Sequence, residues 1–360
     1  MKVGLIFGGR SVEHQVSITS ARTVARGLAE AGHEVLPLGI AQDGCFIAVE
    51  AAAAVLANGR SIEPVGEPVA PTLTHLTSAG AEVLFPIVHG TWGEDGTLQG
   101  LCEMLDLPYV GPGVTASALA MDKVLAKRVL KAAGVPVVEY ETTTRAAFEA
   151  DPGAFLARLE QLPLPLFVKP SVGGSSVGVK KVESRACQET SIRFALQFDD
   201  GVLVERGVSG RELECAVLGY GDLAASEIGE IVPGNEFYDY ADKYLEDNAK
   251  LIAPAELPEA VAVRLKELAV RAFAAIGGVG MARVDFLYEE ERGIEGLYVN
   301  ELNTLPGFTS ISMYPRLWGL SGLPLPRLVG RLVDIAVERH GDRRRLDQGI
   351  KDWLAELDRR

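Results

Sequence analysis

Cysteine is scarce: four stand in 360 residues (Cys45, Cys102, Cys187, Cys215), and no two form a C-x-x-C pair. That excludes a disulfide framework and a thiolate zinc cluster, and it suits reduced thiols in a cytoplasm. Long apolar runs are missing too. None approaches the ~20 residues a membrane-spanning helix needs, and the opening MKVGLIFGG reads as a strand rather than a secretory leader. The expected location is therefore cytoplasmic, with no insertion into a membrane. Positive charge is in deficit, 35 Lys and Arg against 49 Asp and Glu, for a net charge of −14 and a pI near 5.0. A chain of that sign does not coat nucleic acid or an anionic membrane. Any anion it binds must be held by a few local lysines, arginines and backbone N–H groups. The first strand-like run is followed by GGRSVEH, not G-x-G-x-x-G, which argues against a dinucleotide-dependent dehydrogenase.

Hydrophobic residues make up 48% and charged residues 23% of the chain, enough for more than one core. At ~100–200 residues per domain, two or three domains are expected. Residues 1–114 alternate apolar runs (VGLIFG, EVLPLGI, EVLFPIVHG) with helical patterns, which predicts a parallel sheet covered on both faces. Ligands of such sheets collect at the carboxyl ends of strands, here the loops GGRSVEH (8–14) and HGTWGEDG (89–96). After the turn-rich YVGPGV, a helix is expected from Thr115 through MDKVLAKRVLKAA to a cap at Gly134. A central block then runs to residue 207 and a third block from 208 to 345, ending in a helix near 323–340. The charged run 346–360 reads as a solvated tail.

Three stretches carry chemistry. In KPSVGGSSVG (169–178) a lysine precedes three glycines and three serines, between the strand-like runs PLFV and VGVKKV. Backbone N–H groups and an ammonium in such a loop suit phosphate, although the order is not that of G-x-x-x-x-G-K-[ST]. The late strands MARVDFLY and YVNELNT place Arg283 with Asp285, and Glu301 with Asn303, two residues apart and so on one face. Asp285, Glu301 and Asn303 offer only oxygen, the preference of magnesium; a structural ion pair between Arg283 and an acid is the competing reading. Lys123 lies on the helix MDKVLAKRVL, where Lys127 and Lys131 read as surface lysines. His14 and His75 also read as surface. Glu205, ending VLVER, and Glu212 could each accept a ribose hydrogen bond or simply end a strand in solvent.

The stretches FGGRSVEHQVS, HGTWGEDGTLQG, MDK, KPSVGGSSVGV, ERGVSGRELECAVLG, YDYADKY, ARVDF and NELNTLPGFTSISMYP, in that order, resemble the D-alanine–D-alanine ligase family of the ATP-grasp superfamily. The resemblance implies an α/β fold: an N-terminal Rossmann-like parallel-sheet domain (1–114), then a two-subdomain ATP-grasp unit (115–207 and 208–345). It implies ATP and two magnesium ions as cofactors, manganese being able to substitute, two D-alanines as substrates, a homodimer, and a place in peptidoglycan precursor synthesis. The first D-alanine carboxylate would attack the γ-phosphate of ATP; the amine of the second would then attack the acyl phosphate.

By motif match, Lys123 and Lys169 would hold ATP phosphates, Glu205, Arg206 and Val208 would line the adenine, and Glu212 would meet the ribose. Asp285, Glu301 and Asn303 would ligate metal. Glu13, Ser175 and Tyr244 would form a hydrogen-bonded group near the substrates, with Glu13 on the first ammonium and His89 beside it. Arg283 and the Gly307 N–H would stabilise an oxyanion, and Ser312 would hold the second carboxylate. The same resemblance covers sister ligases that make D-alanyl-D-serine or D-alanyl-D-lactate. Relatives of the D-lactate type tend to carry a histidine in the loop of Tyr244, so the tyrosine favours an amino acid as acceptor. A non-catalytic ATP-binding relative would be expected to lack some of these groups. Gly207 departs from relatives that often place a bulky residue in this hinge.

Overall fold

A computed structural model of the chain describes residues 1–64, 80–232 and 250–357. Its first strands, β1 (Lys2–Gly8), β2 (Glu34–Ile40) and β3 (Val83–Pro86), pair in parallel in the order β2-β1-β3. Alternation along β1 explains why both faces must be covered. Val3, Leu5 and Phe7 enter one core with Ile18, Val24 and Leu28 of the helix His14–Glu30, whereas Ile6 enters a second with Leu98 and Cys102 of the helix Thr97–Met104. The first core is completed from the far end of the chain, by Leu328, Val329, Leu332 and Val333 of the helix Leu325–Leu357. That helix is longer than expected. It continues through residues 346–357 of the charged run, which stay exposed as expected of a solvated tail. Just before that run Arg343 and Arg344 reach Glu103 and Asp106, and Arg345 reaches Asp342 one turn away.

Strands β4 (Tyr140–Thr144), β5 (Leu166–Pro170), β6 (Lys180–Val182) and β7 (Gly201–Arg206) form an antiparallel sheet in the order β4-β7-β5-β6. A second antiparallel sheet, order β10-β9-β8-β11-β12, is built from β8 (Arg211–Tyr220), β9 (Asp222–Val232), β10 (Lys250–Ile252), β11 (Gly280–Tyr288) and β12 (Leu297–Asn303). The connection between the two sheets is tight: Gly207 N–H donates to the Pro165 carbonyl at 2.6 Å. A Cβ at 207 would lie 2.8 Å from Pro165 Cγ and 2.9 Å from its carbonyl oxygen, so a bulky hinge residue does not fit here without movement.

The expected single helix 115–133 is broken into Val114–Met121 and Lys123–Ala132. At the break Asp122 is extended, bridges to Val172, and caps the second helix by accepting from the Val124 and Leu125 N–H groups. Ala116, Ala120 and Leu130 pack with Leu213 and Val284 of the five-stranded sheet, not with the core of Phe148, Val168 and Val204 under the four-stranded one. In packing, then, residues 115–133 go with the third block, although the chain order puts them in the second. Among the described residues no helix is long and apolar enough to cross a membrane. Tyr244 and His75 lie outside the described residues.

Candidate active site

A cleft of about 1470 Å³ is lined by groups from all three sheets or the loops that follow their strands. The loops after β1 and β3 bring Glu13 and His89; β5 and β7 bring Lys169 and Glu205; β8, β11 and β12 bring Glu212, Arg283, Asp285, Glu301 and Asn303. Val208, Gly307 and Ser312 also line it.

Lys169 projects from β5, opposite Leu203 of β7, and its ammonium lies 2.7 Å from Glu205 Oε2. The other oxygen of Glu205 lies 2.6 Å from Lys127 Nζ. Lys127 is thus no surface lysine: it is 1% exposed, because the helix Lys123–Ala132 turns that side chain inward against β7. Burial pushes the Lys127 pKa down. It also pushes the Glu205 carboxyl up, but the two ammoniums outweigh it and hold the group at about 2. Lys169 is also desolvated, yet the adjacent carboxylate raises its pKa overall. Lys123 stands at the start of its helix and donates to the Gly173 carbonyl at 2.5 Å. Arg206 behaves differently from its neighbours. Its guanidinium pairs with Glu139 and Glu289 and lies over the ring of Tyr298, so its side chain braces the hinge at the edge of the cleft.

The loop KPSVGGSSVG joins β5 to β6 as a hairpin connection. Its base is fastened on two sides: Ser171 Oγ donates to Asp122 Oδ1 at 2.6 Å, and Val172 N–H to Asp199 Oδ2 at 3.0 Å. Its tip crosses the cleft, where Ser175 Oγ donates to Glu13 Oε1 at 2.6 Å across 162 residues of sequence. Gly173, Ser175, Ser176 and Gly178 all have positive φ, at 144°, 50°, 59° and 77°. The two serines adopt it against the preference of residues with a Cβ, a strain that a loop holds only when its contacts impose it. Glu13 is available for this contact because it precedes the helix His14–Glu30 without using its side chain as a cap. His14, expected at the surface, is 4% exposed, with Nδ1 2.7 Å from the Gly9 carbonyl and Nε2 accepting from the Ile62 N–H at 3.1 Å. It secures the loop that presents Glu13.

On the opposite wall Arg283 clasps Asp285 with two bonds of 2.7 Å and lies 3.1 Å from Glu214 Oε1. Register explains the cluster. Asp285 faces Glu301 across β11 and β12 and Glu214 across β11 and β8, while Arg283 faces Asn303, whose amide donates to Asp285 Oδ2 at 2.9 Å. Three carboxylates, Glu214, Asp285 and Glu301, thus surround one guanidinium, an excess of negative charge that suits a divalent cation. Among the described residues no three acidic, imidazole or thiolate groups form a ready-made cage. Asp285, Glu301 and Asn303 fit a hard ion that takes further oxygen ligands from phosphate or water, as magnesium does.

His89 is buried and fully engaged, with Nε2 2.9 Å from Ser20 Oγ and Nδ1 2.9 Å from the Leu305 carbonyl. Ser20 Oγ in turn accepts the Phe308 N–H at 3.1 Å, so this pair ties the first domain to the loop carrying Gly307. Glu94 lies 3.5 Å from His89, and burial raises its carboxyl to about 7 despite that neighbour. Ser312 Oγ accepts from the Thr309 N–H at 2.9 Å and sits so close that a Cβ at 307 would be 2.7 Å from it. Only glycine leaves that space.

Residues 2–112 match the family model described as D-ala D-ala ligase N-terminus, and residues 129–334 match that of the D-ala D-ala ligase C-terminus. The chain belongs to the D-alanine–D-alanine ligase family. It is 42% identical to a D-alanine–D-alanine ligase of Chloroherpeton thalassium over 95% of this chain and 98% of that one. It is 41% identical to D-alanine–D-alanine ligase A of Salmonella typhimurium, with 94% and 96% covered. The solved D-alanine–D-alanine ligase of Coxiella burnetii superposes with a TM-score of 0.82 at 35% identity over 99% of both chains. VanG D-Ala:D-Ser ligase of Enterococcus faecalis superposes with 0.78 at 32%, over 93% of this chain and 99% of that one. Lys127, read from the sequence as a surface lysine, and Glu94 and Glu214, which the sequence reading did not single out, belong to these clusters. Each had a faint signal. Lys127 is one helical turn beyond Lys123, Glu214 is two residues beyond Glu212 on a strand, and Glu94 lies inside HGTWGEDG.

Proposed function

We propose that the protein is an ATP-dependent ligase joining two D-alanines into D-alanyl-D-alanine, with ADP and phosphate released, for peptidoglycan precursors. The observation that carries the proposal is the convergence on one cleft of the Ser175–Glu13 contact, the Lys123, Lys169 and Glu205 group, and the Arg283 and Asp285 cluster. ATP lies with its phosphates toward Lys123 and Lys169, its adenine along Glu205, Val208 and the backbone of Arg206, and its ribose at Glu212. Phosphoryl transfer needs charge neutralisation and alignment more than a covalent catalyst. Magnesium held by Asp285, Glu301 and Asn303 would supply part of that neutralisation.

Glu13 pairs with the ammonium of the first D-alanine and leaves its carboxylate pointed at the γ-phosphate. Ser175, at the tip of the Gly/Ser loop, closes over the site and keeps water from the acyl phosphate. Attack by the second amine builds an oxyanion, which Arg283 and the Gly307 N–H stabilise; such a donor is worth roughly 3–4 kcal/mol. Ser312 takes the second carboxylate. His89 positions the Gly307 loop, and on the resemblance alone Tyr244 would complete the group of Glu13 and Ser175. The domains divide at 114 and 207 in chain order, and the ligase acts as a homodimer in the cytoplasm. The test is incubation with ATP, magnesium and a panel of D-amino and D-hydroxy acids, with products identified by mass. D-Ala-D-Ala is the expected product; its absence, or dominance of a D-serine or D-lactate product, overturns the specific assignment.

A further inference from the structure

Lys127 is a buried cation that none of the steps above uses. It is 1% exposed and absent from the lining of the cleft, so it cannot touch a nucleotide there. It nevertheless lies 2.6 Å from Glu205 Oε1, while Lys169, which does line the cleft, lies 2.7 Å from Oε2 of the same carboxylate. The Lys127 contact is ionic, without the angles of a directed hydrogen bond. A buried ammonium in such a place is tolerated only where it is paired.

We propose that Lys127 is a positioning residue that, by neutralising Glu205 from behind, leaves the charge of Lys169 available to nucleotide phosphate. The inference rests on the ATP-dependent reading above. Its core is a charge count. One carboxylate lies between two ammoniums, so the group presents one net positive charge, and only Lys169 faces the cleft. Without Lys127 the remaining pair is neutral, and Lys169 is drawn onto a carboxylate that has lost its other partner. The phosphate then competes with Glu205 for the ammonium of Lys169, and of the two phosphate lysines only Lys123 is left outside that pair. Low local dielectric makes this competition stronger than it would be in water. The ionised state of Glu205, held at about 2 by both lysines against its burial, is consistent with the arrangement.

The experiment uses the full-length protein as Lys127→Met, Lys127→Gln and Lys127→Met/Glu205→Gln variants. Steady-state kinetics give KM for ATP and for D-alanine separately. Tripolyphosphate, a probe with no adenine or ribose, gives an inhibition constant for the phosphate end alone. Lys127→Met should raise both KM for ATP and the tripolyphosphate constant by about tenfold or more, with KM for D-alanine within about twofold. Removing the carboxylate as well should bring the tripolyphosphate constant back toward wild type, since Lys169 is freed again. Lys127→Gln places an uncharged polar amide beside Glu205 in place of the ammonium. It carries the same expected rise should the methionine variant fail to fold. Unchanged ATP and tripolyphosphate constants in a folded variant, or equal losses toward ATP and D-alanine, overturn the proposal. A wild-type protein that forms no ADP would instead overturn the ligase reading beneath it.

Discussion

Replacing Ser175 by alanine deletes a hydrogen bond between the Gly/Ser loop tip and Glu13 of the first domain, a contact of 2.6 Å to a carboxylate. Hydrogen bonds to charged groups contribute about 1.5–3 kcal/mol. If closure of the loop precedes chemistry, that loss lowers the closed population, and at 1.36 kcal/mol per factor of ten it reduces kcat by about 10- to 150-fold. Alanine keeps the Cβ and therefore keeps the strain of the φ of 50° at this position. Glycine at 175 would remove the strain along with the bond, so Ser175→Gly should also be slow, and its loop should be more easily cleaved by protease. Coupled-enzyme detection of ADP at saturating substrates measures kcat, and calorimetry checks that Tm is unchanged within about 2 °C, as expected for a loop-tip change on the surface of a cleft. A Ser175→Ala variant turning over within twofold of wild type refutes the idea that this contact governs closure.

Glu301→Gln should abolish turnover while leaving Tm nearly unchanged, because the change weakens a proposed metal ligand without altering volume; full activity would show the metal is held elsewhere. Gly207→Leu should destabilise the hinge and raise KM for ATP, since its Cβ would start 2.8 Å from Pro165; wild-type Tm and KM would show that the hinge yields easily. Glu94 gives a pH signature. Its carboxyl is raised by burial from 4.5 to about 7, so the folded state holds that proton more tightly than the unfolded chain does. The stability it confers is therefore present below pH 4.5 and is lost as pH rises toward 7, by about 3 kcal/mol. Urea titrations of Glu94→Gln should show a shallower decline across that window than wild type, and parallel curves would remove Glu94 as the cause. Asp122→Ala deletes a helix cap and the partner of Ser171, and should lower stability by about 1–2 kcal/mol while raising KM for ATP through the displaced Gly/Ser loop; unchanged KM would uncouple the cap from the loop.

Much of the molecule was legible in the residues alone. The apolar runs VGLIFG and EVLPLGI, alternating with helical patterns, announced a parallel sheet buried on both sides. The spacing of Arg283 with Asp285 and of Glu301 with Asn303 put each pair on one face of a strand. These are local properties: side chains two apart on a strand share a face whatever the rest of the chain does. The order of the motifs pointed to the family, which the family models match.

Other features depended on where distant elements meet. The pattern MDKVLAKRVL does not distinguish a buried lysine from a solvated one. Lys127 is buried because Glu205 arrives from a strand 78 positions later to pair with it. His14 looks like any polar residue near a loop until Gly9 and Ile62 enclose it. The break at Asp122 required the bridge to Val172, and the continuation of the last helix past residue 340 drew on Glu103 and Asp106 of the first domain. Sequence alone determined the strands that carry the site and which of their side chains share a face. Tertiary structure alone decided which charges are buried and against what, because the energy of a buried charge depends on partners brought from far along the chain.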